Sequence, residues 1–347
     1  MTSYIRPLDF RNGRVDLSHG SGGRAMAQLI DELFARHFAN EILAEQADGA
    51  CFALPAGAGR MVMATDSHVV SPLFFPGGDI GALSVHGTIN DVAMMGARPL
   101  YLSASFILEE GFPLAELLRI VKSMAQAARE AGVAIVTGDT KVVEAGKGDG
   151  VFITTTGIGV MPEGVTLGAG RIAVGDRILV SGMLGDHGVA IMSHRENLTF
   201  ETTIQSDTAA LHGLVATMLA AAPELHALRD PTRGGLATVL NEFAKASGHG
   251  MLIHEKAIPV RSEVAAACEL LGLDPLYVAN EGKLVAFCAA PDADALLAAM
   301  RAHPLGRDAA IVGEVIADPH AFVQMQTAFG GRRMVDWLTG EQLPRIC

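Results

Sequence analysis

The sequence predicts an α/β protein of two domains ending in a polar arm, and three observations carry that expectation. Apolar β-branched runs such as Val133 to Val136 and Val151 to Thr156 alternate with amphipathic stretches such as Leu114 to Ala131. A length of 347 residues with 50% hydrophobic content is enough for two cores of ordinary size. A Gly-rich stretch over 162–176 interrupts the alternation and a fresh strand starts near Arg177, which puts the domain boundary there. The division is a segment 1–40 holding a glycine loop, a domain over 41–162, a second α/β domain over 163–338, and a mobile tail over 339–347.

The elements follow in order. Met61 to Thr65 reads as a strand that delivers Asp66, and Thr88 to Val92 sits inside an otherwise apolar helix. An amphipathic helix over Leu114 to Ala131 precedes the buried strand Val133 to Val136, and Val151 to Thr156 is the next strand. Past the boundary come a strand to Ser181 and helices around Gly188 to Arg195 and Thr208 to Ala222. The helix Leu236 to Ser247 begins directly after a Gly-Gly pair and is closed by Gly248. A strand over Leu284 to Phe287 follows Lys283.

Composition excludes several function classes. Lys and Arg total 26 against 38 Asp and Glu, a net charge of -12 that argues against nucleic acid or a membrane surface as the main partner. ATP carried with magnesium remains compatible with it. The first residues lack a signal peptide's apolar stretch and no later run reaches bilayer length, so the expected location is the cytoplasm.

The cysteines at 51, 268, 288 and 347 form neither a Cys-x-x-Cys pair nor a zinc-finger spacing with histidine. The first three read as small core residues. Cys347 reads as a thiol outside any core, on a polar stretch from Thr339 that spans roughly 30 Å when extended. Pro344 stiffens its approach. The competing reading is a frayed end with an incidental cysteine.

Five glycine-rich or acidic signatures stand at or near element ends, where α/β proteins assemble ligand sites. In His19-Gly20-Ser21-Gly22-Gly23-Arg24 the glycines admit backbone N–H groups to phosphate oxygens just before a helix, although a loop of this kind alone reads equally as a flexible turn. Asp66, Asp91 and Asp139, within Thr65-Asp66-Ser67, Asn90-Asp91-Val92 and Gly138-Asp139-Thr140-Lys141, are hard oxygen donors suited to magnesium beside a nucleotide. Each singly reads as a cap or turn residue. Lys141 would add positive charge for phosphates. Asp230, in Arg229-Asp230-Pro231-Thr232-Arg233-Gly234-Gly235, reads alone as a cap, and Glu281, in Asn280-Glu281-Gly282-Lys283, as a solvated loop acid. At a domain interface such a carboxylate becomes a general base.

This set of motifs, together with Pro344-Arg345-Ile346-Cys347, resembles the HypE family of hydrogenase-maturation carbamoyl dehydratases, within the aminoimidazole ribonucleotide synthetase (PurM-like) superfamily. The resemblance runs from near residue 17 onward, and its most specific parts are Gly-Asp-Thr-Lys and Pro-Arg-Ile-Cys. It implies two PurM-like domains, the first binding ATP and pairing in a homodimer. It also implies a carbamoyl group loaded on Cys347 by the carbamoyltransferase HypF, dehydrated with ATP and magnesium to a thiocyanate, and passed as cyanide to iron on a HypC–HypD complex.

On that reading Asp66, Asp91 and Asp139 hold magnesium and Lys141 faces the transferring phosphoryl group. Gly20, Ser21, Gly22, Gly23, Asp66, Asp139 and Asp230 join Lys141 in binding the nucleotide. Glu281 removes protons, with Asp91 as the other candidate. Arg345 either steers the arm or merely solubilises it. A selenophosphate synthetase fits poorly, since its reactive Cys or selenocysteine and Lys are replaced at the glycine loop by Ser21 and Arg24. A ribonucleotide synthetase leaves Cys347 unexplained. A carrier without catalysis leaves the clustered aspartates unexplained, and Cys347 as a lone metal ligand would make a weak site.

Overall fold

The computed structural model describes residues 7–20, 24–45, 50, 52–55, 59–196, 204–338 and 345–347. Ser21, Gly22, Gly23, Cys51 and the expected arm over 339–344 lie outside the described residues.

The first half consists of α1 (Arg24–Leu29), β1 (Arg60–His68), the hairpin β2 (Phe74–Phe75) and β3 (Gly78–Asp79), α2 (Ile80–Met94), β4 (Arg98–Glu109), α3 (Leu114–Glu130), β5 (Ala134–Val143) and β6 (Val151–Met161). Its main sheet has the order β1-β6-β4-β5, with β4 and β5 parallel and the other pairs antiparallel. Leu114, Leu117, Ile120, Val121, Met124 and Ala128 recur at helical spacing, so α3 buries one stripe against its neighbours. Helix α2 is apolar almost throughout because it is covered on several sides, by β1, β4, β6 and α3. Asp79 starts it by accepting hydrogen bonds from the amides of Gly81 at 2.8 Å and Ala82 at 3.0 Å. Along β1 the alternation puts Val62, Asp66 and His68 on the helix side and exposes Met61, Met63, Thr65 and Ser67 on the other.

The second half comprises β7 (Arg177–Val180), α4 (Asp186–Arg195), α5 (His212–Ala221), β8 (Ala227–Arg229), α6 (Gly235–Ser247), β9 (Gly250–His254), α7 (Ser262–Leu271), β10 (Val285–Cys288), α8 (Ala293–Ala302), β11 (Ala310–Ile316), β12 (Val323–Gln326) and β13 (Arg332–Met334). Seven strands order as β13-β12-β9-β11-β7-β10-β8. Leu236, Leu240 and Phe243 of α6 cover one face, and Leu214, Met218, Leu296 and Met300 of α5 and α8 cover the other. Cys268 and Cys288 are buried core residues, as expected.

The halves meet at the end of α2. Ala93 and Met94 join the second half's core. Asn90, buried beside them, donates to the Ala209 carbonyl at 3.0 Å and accepts from the Leu211 amide at 2.8 Å. A buried amide with both ends satisfied fixes the approach of the two halves, because a shift would leave a polar group unpaired in the interior.

Candidate active site

The junction gathers acids from four elements. Asp66 comes from β1 and Asp91 from α2, one residue beyond the bridging Asn90. Asp230 lies in the turn between β8 and α6, and Glu281 in the loop before β10. Asp230 is 8% exposed and Glu281 4%. Neither plays the local part each motif alone suggests. Helix α6 has Gly234 at its cap position with no side-chain cap bond, and Glu281 is interior. The Glu281 loop is held from below: Asp207 accepts from the Glu281 amide at 3.0 Å and from Lys283 Nζ at 3.1 Å. Gly282 is required by close approach, since a Cβ there would stand 1.7 Å from the Asp207 carbonyl oxygen.

Burial and mutual repulsion shape the chemistry of these acids. Burial, reinforced by the charges of Asp230 and Asp66, pushes the Asp91 carboxyl up to about 7. Burial raises Asp230 to about 6, with Arg229 opposing and Asp66 adding to the shift. Glu281 is driven well above the carboxylate range, first by burial and then by Asp230, Asp207, Asp66 and Asp91. Its Oε1 has no hydrogen-bond partner among the described residues. A buried carboxyl raised in this way, with one oxygen lacking a partner among the described residues, is suited to exchanging a proton with a bound group.

Cys347 lies in this cluster, which corrects the expectation of a thiol outside any core. Ile346 is 2% exposed within the first half's core, and Cys347 packs against it half-buried. The Val69 amide donates to the Cys347 carbonyl at 3.0 Å and the Ser71 amide to the Arg345 carbonyl at 3.1 Å. His187 Nε2 lies 2.8 Å from the Ile346 carbonyl oxygen, and Arg345 pairs with Asp149. Burial of one aliphatic side chain plus several main-chain bonds outweighs the entropy of ordering three residues, which a count of polar residues in the arm does not register. Burial pushes the thiol far above its ordinary value. The Glu281 charge adds to this, Arg233 counters it, and the thiol also hydrogen-bonds with Glu281.

Asp139 and Lys141 are elsewhere. The Gly-Asp-Thr-Lys motif lies inside β5 rather than after a strand, and Lys141 Nζ bonds both Asp139 oxygens, at 2.7 and 2.6 Å. That bond holds Asp139 below the usual carboxylate range. The register runs from Asp66 to Thr155, from Thr155 to Ala104, and from Ala104 to Gly138. Asp139 is therefore three strands from Asp66, about 14 Å at the usual strand spacing. Among the described residues no three His, Cys, Asp or Glu stand together as a metal-binding group. Within one chain, the three expected magnesium ligands are not brought to one point. Gly20 belongs to this far edge: a Cβ there would meet the Val142 amide nitrogen at 2.7 Å. Beside it a cavity of about 420 Å³ is lined by Met26, Ile30, Phe34, Phe38, Phe106 and Ile135, with Thr137 and Asp139 also on its wall.

Sequence reasoning missed Asp207, His187 and the placement of His68. Asp207 and His187 stand in no motif. His68, 1% exposed, has Nε2 3.4 Å from Asp66 Oδ2 and also interacts with the Ile153 backbone. Its position after Asp66 on the same face of β1 was the available signal.

Similarity to known proteins bears on this geometry. The N-terminal domain family of AIR synthase related proteins matches residues 46–161, and the C-terminal domain family matches 173–326. The carbamoyl dehydratase HypE of Cupriavidus necator is 71% identical over 344 residues, 99% of this chain and 98% of that protein. A crystal structure of the hydrogenase maturation protein HypE in complex with ATP superposes with a TM-score of 0.92 at 50% identity, covering 96% of this chain and 99% of that one. The HypE chain of a HypE–HypF complex matches with a TM-score of 0.79 at 49% identity, over 89% of this chain and 99% of that one. With two PurM-like domains and this level of identity along nearly its whole length, the chain belongs to the HypE family of carbamoyl dehydratases.

Proposed function

We propose that the chain dehydrates a carbamoyl group carried on Cys347, using ATP, to supply cyanide ligands for the iron of a nickel–iron hydrogenase. The observation that carries this reading is the seat of Cys347 against Glu281, inside a cluster with Asp66, Asp91 and Asp230. A thiocarbamate there has its amide oxygen displaced only after activation. That oxygen attacks the γ-phosphorus of ATP and releases ADP. The carbon–oxygen bond then breaks with loss of phosphate, and the two N–H protons leave to bases, giving S–C≡N. Glu281 takes a proton through its free Oε1, and Asp91, raised to about 7, is the second acceptor.

Asp66, Asp91 and Asp230 repel one another but do not by themselves form a three-acid metal group, so magnesium would be held by such hard oxygen donors only together with nucleotide phosphates. When bound with the nucleotide, magnesium would neutralise phosphate charge. For the base of ATP, the apolar cavity beside α1 and β5 has the dimensions of a small-ligand pocket. Lys141, one residue beyond the lining Thr140, and Gly20, packed against Val142, would offer an ammonium and a backbone donor to phosphates.

A homodimer would bring such separated halves together. The sheet face opposite α2 exposes Met61, Met63 and Ile107, and Met63 is 73% exposed. Methionine and isoleucine on an open sheet face suit a second copy. The expected partners are a HypF-type carbamoyltransferase, consistent with the relative seen in complex with HypF, and an iron-carrying HypC–HypD complex. No helix among the described residues is long and apolar enough to cross a membrane. The reading is tested by ATP hydrolysis with and without the carbamoyl donor system: dehydration requires hydrolysis coupled to loading of Cys347, and hydrolysis indifferent to loading contradicts it.

A further inference from the structure

Among the described residues, the main-chain contacts that seat residues 345–347 go to their carbonyl oxygens. The Ser71 amide and Arg195 Nη2 donate to Arg345 O at 3.1 and 3.0 Å, and the Val69 amide to Cys347 O at 3.0 Å. His187 Nε2 reaches Ile346 O at 2.8 Å. Arg195 Nε also donates to the Ser71 carbonyl at 3.0 Å, so the strand end and the incoming segment are tied to one guanidinium.

His187 is itself fixed. It is fully buried, and its Nδ1 lies 2.7 Å from Ser206 Oγ. The Ser206 amide donates to the Pro76 carbonyl at 2.8 Å, and the Phe75 ring meets the imidazole edge-on at 5.6 Å. With Ser206 donating to Nδ1, the imidazole carries its proton on Nε2 and aims it at the Ile346 carbonyl. Burial holds the ring in the neutral form this requires. The side-chain anchors are Ile346, inside the core, and Arg345, paired with Asp149. None of these contacts involves the sulfur.

We propose that Val69, Ser71, His187 and Arg195 form a latch that grips the main chain of residues 345–347, with Ile346 as its plug, and so seats residue 347 at the acid cluster whatever its sulfur carries. The idea rests on the dehydratase reading for its purpose, but the latch itself is a property of the main chain of residues 345–347 and of Ile346. His187 is thereby a positioning residue rather than a catalytic one. It lets thiol, thiocarbamate and thiocyanate occupy one seat in turn, because these four groups hold the main chain and leave the sulfur's own contact with Glu281 free to change. Release then requires a partner to compete for the same backbone or to withdraw Ile346.

The test uses the full-length protein without ATP or any carbamoyl donor, so its failure is separable from failure of the dehydratase reading. Alkylation of Cys347 by iodoacetamide is followed by mass spectrometry of its peptide, alongside hydrogen exchange of the peptide containing Val69 and Ser71. His187→Phe, which keeps ring volume but loses both polar atoms, should speed alkylation about fivefold. Ile346→Ser should speed it about tenfold. His187→Gln, which retains a donor, should remain closer to the parent. Protection of the Val69 and Ser71 peptide should fall in the first two variants and persist in parent protein whose Cys347 has been alkylated. Ile346→Ser alters only the seated segment, so it decides the matter even if His187→Phe does not fold. Unchanged alkylation in Ile346→Ser, or loss of protection once the sulfur is capped, would overturn the latch.

Discussion

The two edges of the first sheet present carboxylates in opposite states. At the β1 edge, Asp66, Asp91, Asp230 and Glu281 crowd a buried junction, and burial pushes Asp91, Asp230 and Glu281 upward. At the β5 edge, Asp139 is exposed and bound to Lys141, which holds it down. One edge is arranged to exchange protons near neutrality and the other to stay charged in water. The same residue type is tuned by what surrounds it, and the surroundings are set by which strand faces the second half.

That contrast breaks most sharply at Glu281. Glu281→Gln keeps the side chain's size but removes the proton acceptor, and should slow conversion of carbamoylated Cys347 by about 10²–10⁴-fold. Loading by the carbamoyltransferase should be unaffected, as read from the adduct on the Cys347 peptide. Equal rates in variant and parent would show that the buried acid is not the base.

The exposed edge should behave differently. Lys141→Ala removes a surface ion pair and should change stability by no more than about 1 kcal/mol, while weakening ATP binding about tenfold if the ammonium faces phosphate. Titration calorimetry beside a melting curve separates the two. A large loss of stability with unchanged ATP affinity would reverse the assignment. Met63→Asp, on the open face, should shift the protein toward monomer in sedimentation while leaving each chain folded; an unchanged mass would remove that face from the dimer.

The smallest expected effect is on stability against pH. Asp91 sits at about 7 in the folded chain against an ordinary 3.8, so the native state holds this proton more tightly than the unfolded chain does. Its burial costs nothing below the ordinary value and becomes destabilising as pH rises through that window toward 7. Without divalent cation, melting temperature should therefore rise by a few degrees as pH falls from about 8 to about 6. Asp91→Asn should flatten that slope and melt higher at the upper pH. A slope unchanged by the substitution would place the titration elsewhere.

The secondary structure was largely legible because its cues are local. Helix α3 follows from its apolar stripe, α6 from its opening Gly-Gly and closing Gly248, and β7 from the Gly-rich stretch before it. Asp66, Asp91, Asp230 and Glu281 were legible as candidates from their motifs. What could not be read was sheet order: that Asp139 lies three strands from Asp66 depends on non-local pairing, which leaves no trace in either motif. The seat of Cys347 was hidden for a related reason. One buried isoleucine has no periodicity, and the groups that hold its backbone come from Val69, Ser71 and His187, far along the chain. Asp207, which supports the Glu281 loop, likewise becomes visible only as a contact.

The most direct test follows the Cys347 peptide by mass spectrometry after incubation with the carbamoyltransferase, carbamoyl phosphate and ATP. The expected course is a carbamoyl adduct that then loses the mass of one water in step with phosphate release, and that stalls at the carbamoyl stage in Glu281→Gln. A carbamoyl adduct that persists in the parent protein while ATP is consumed, or cyanation that proceeds at full rate in Glu281→Gln, would contradict the account.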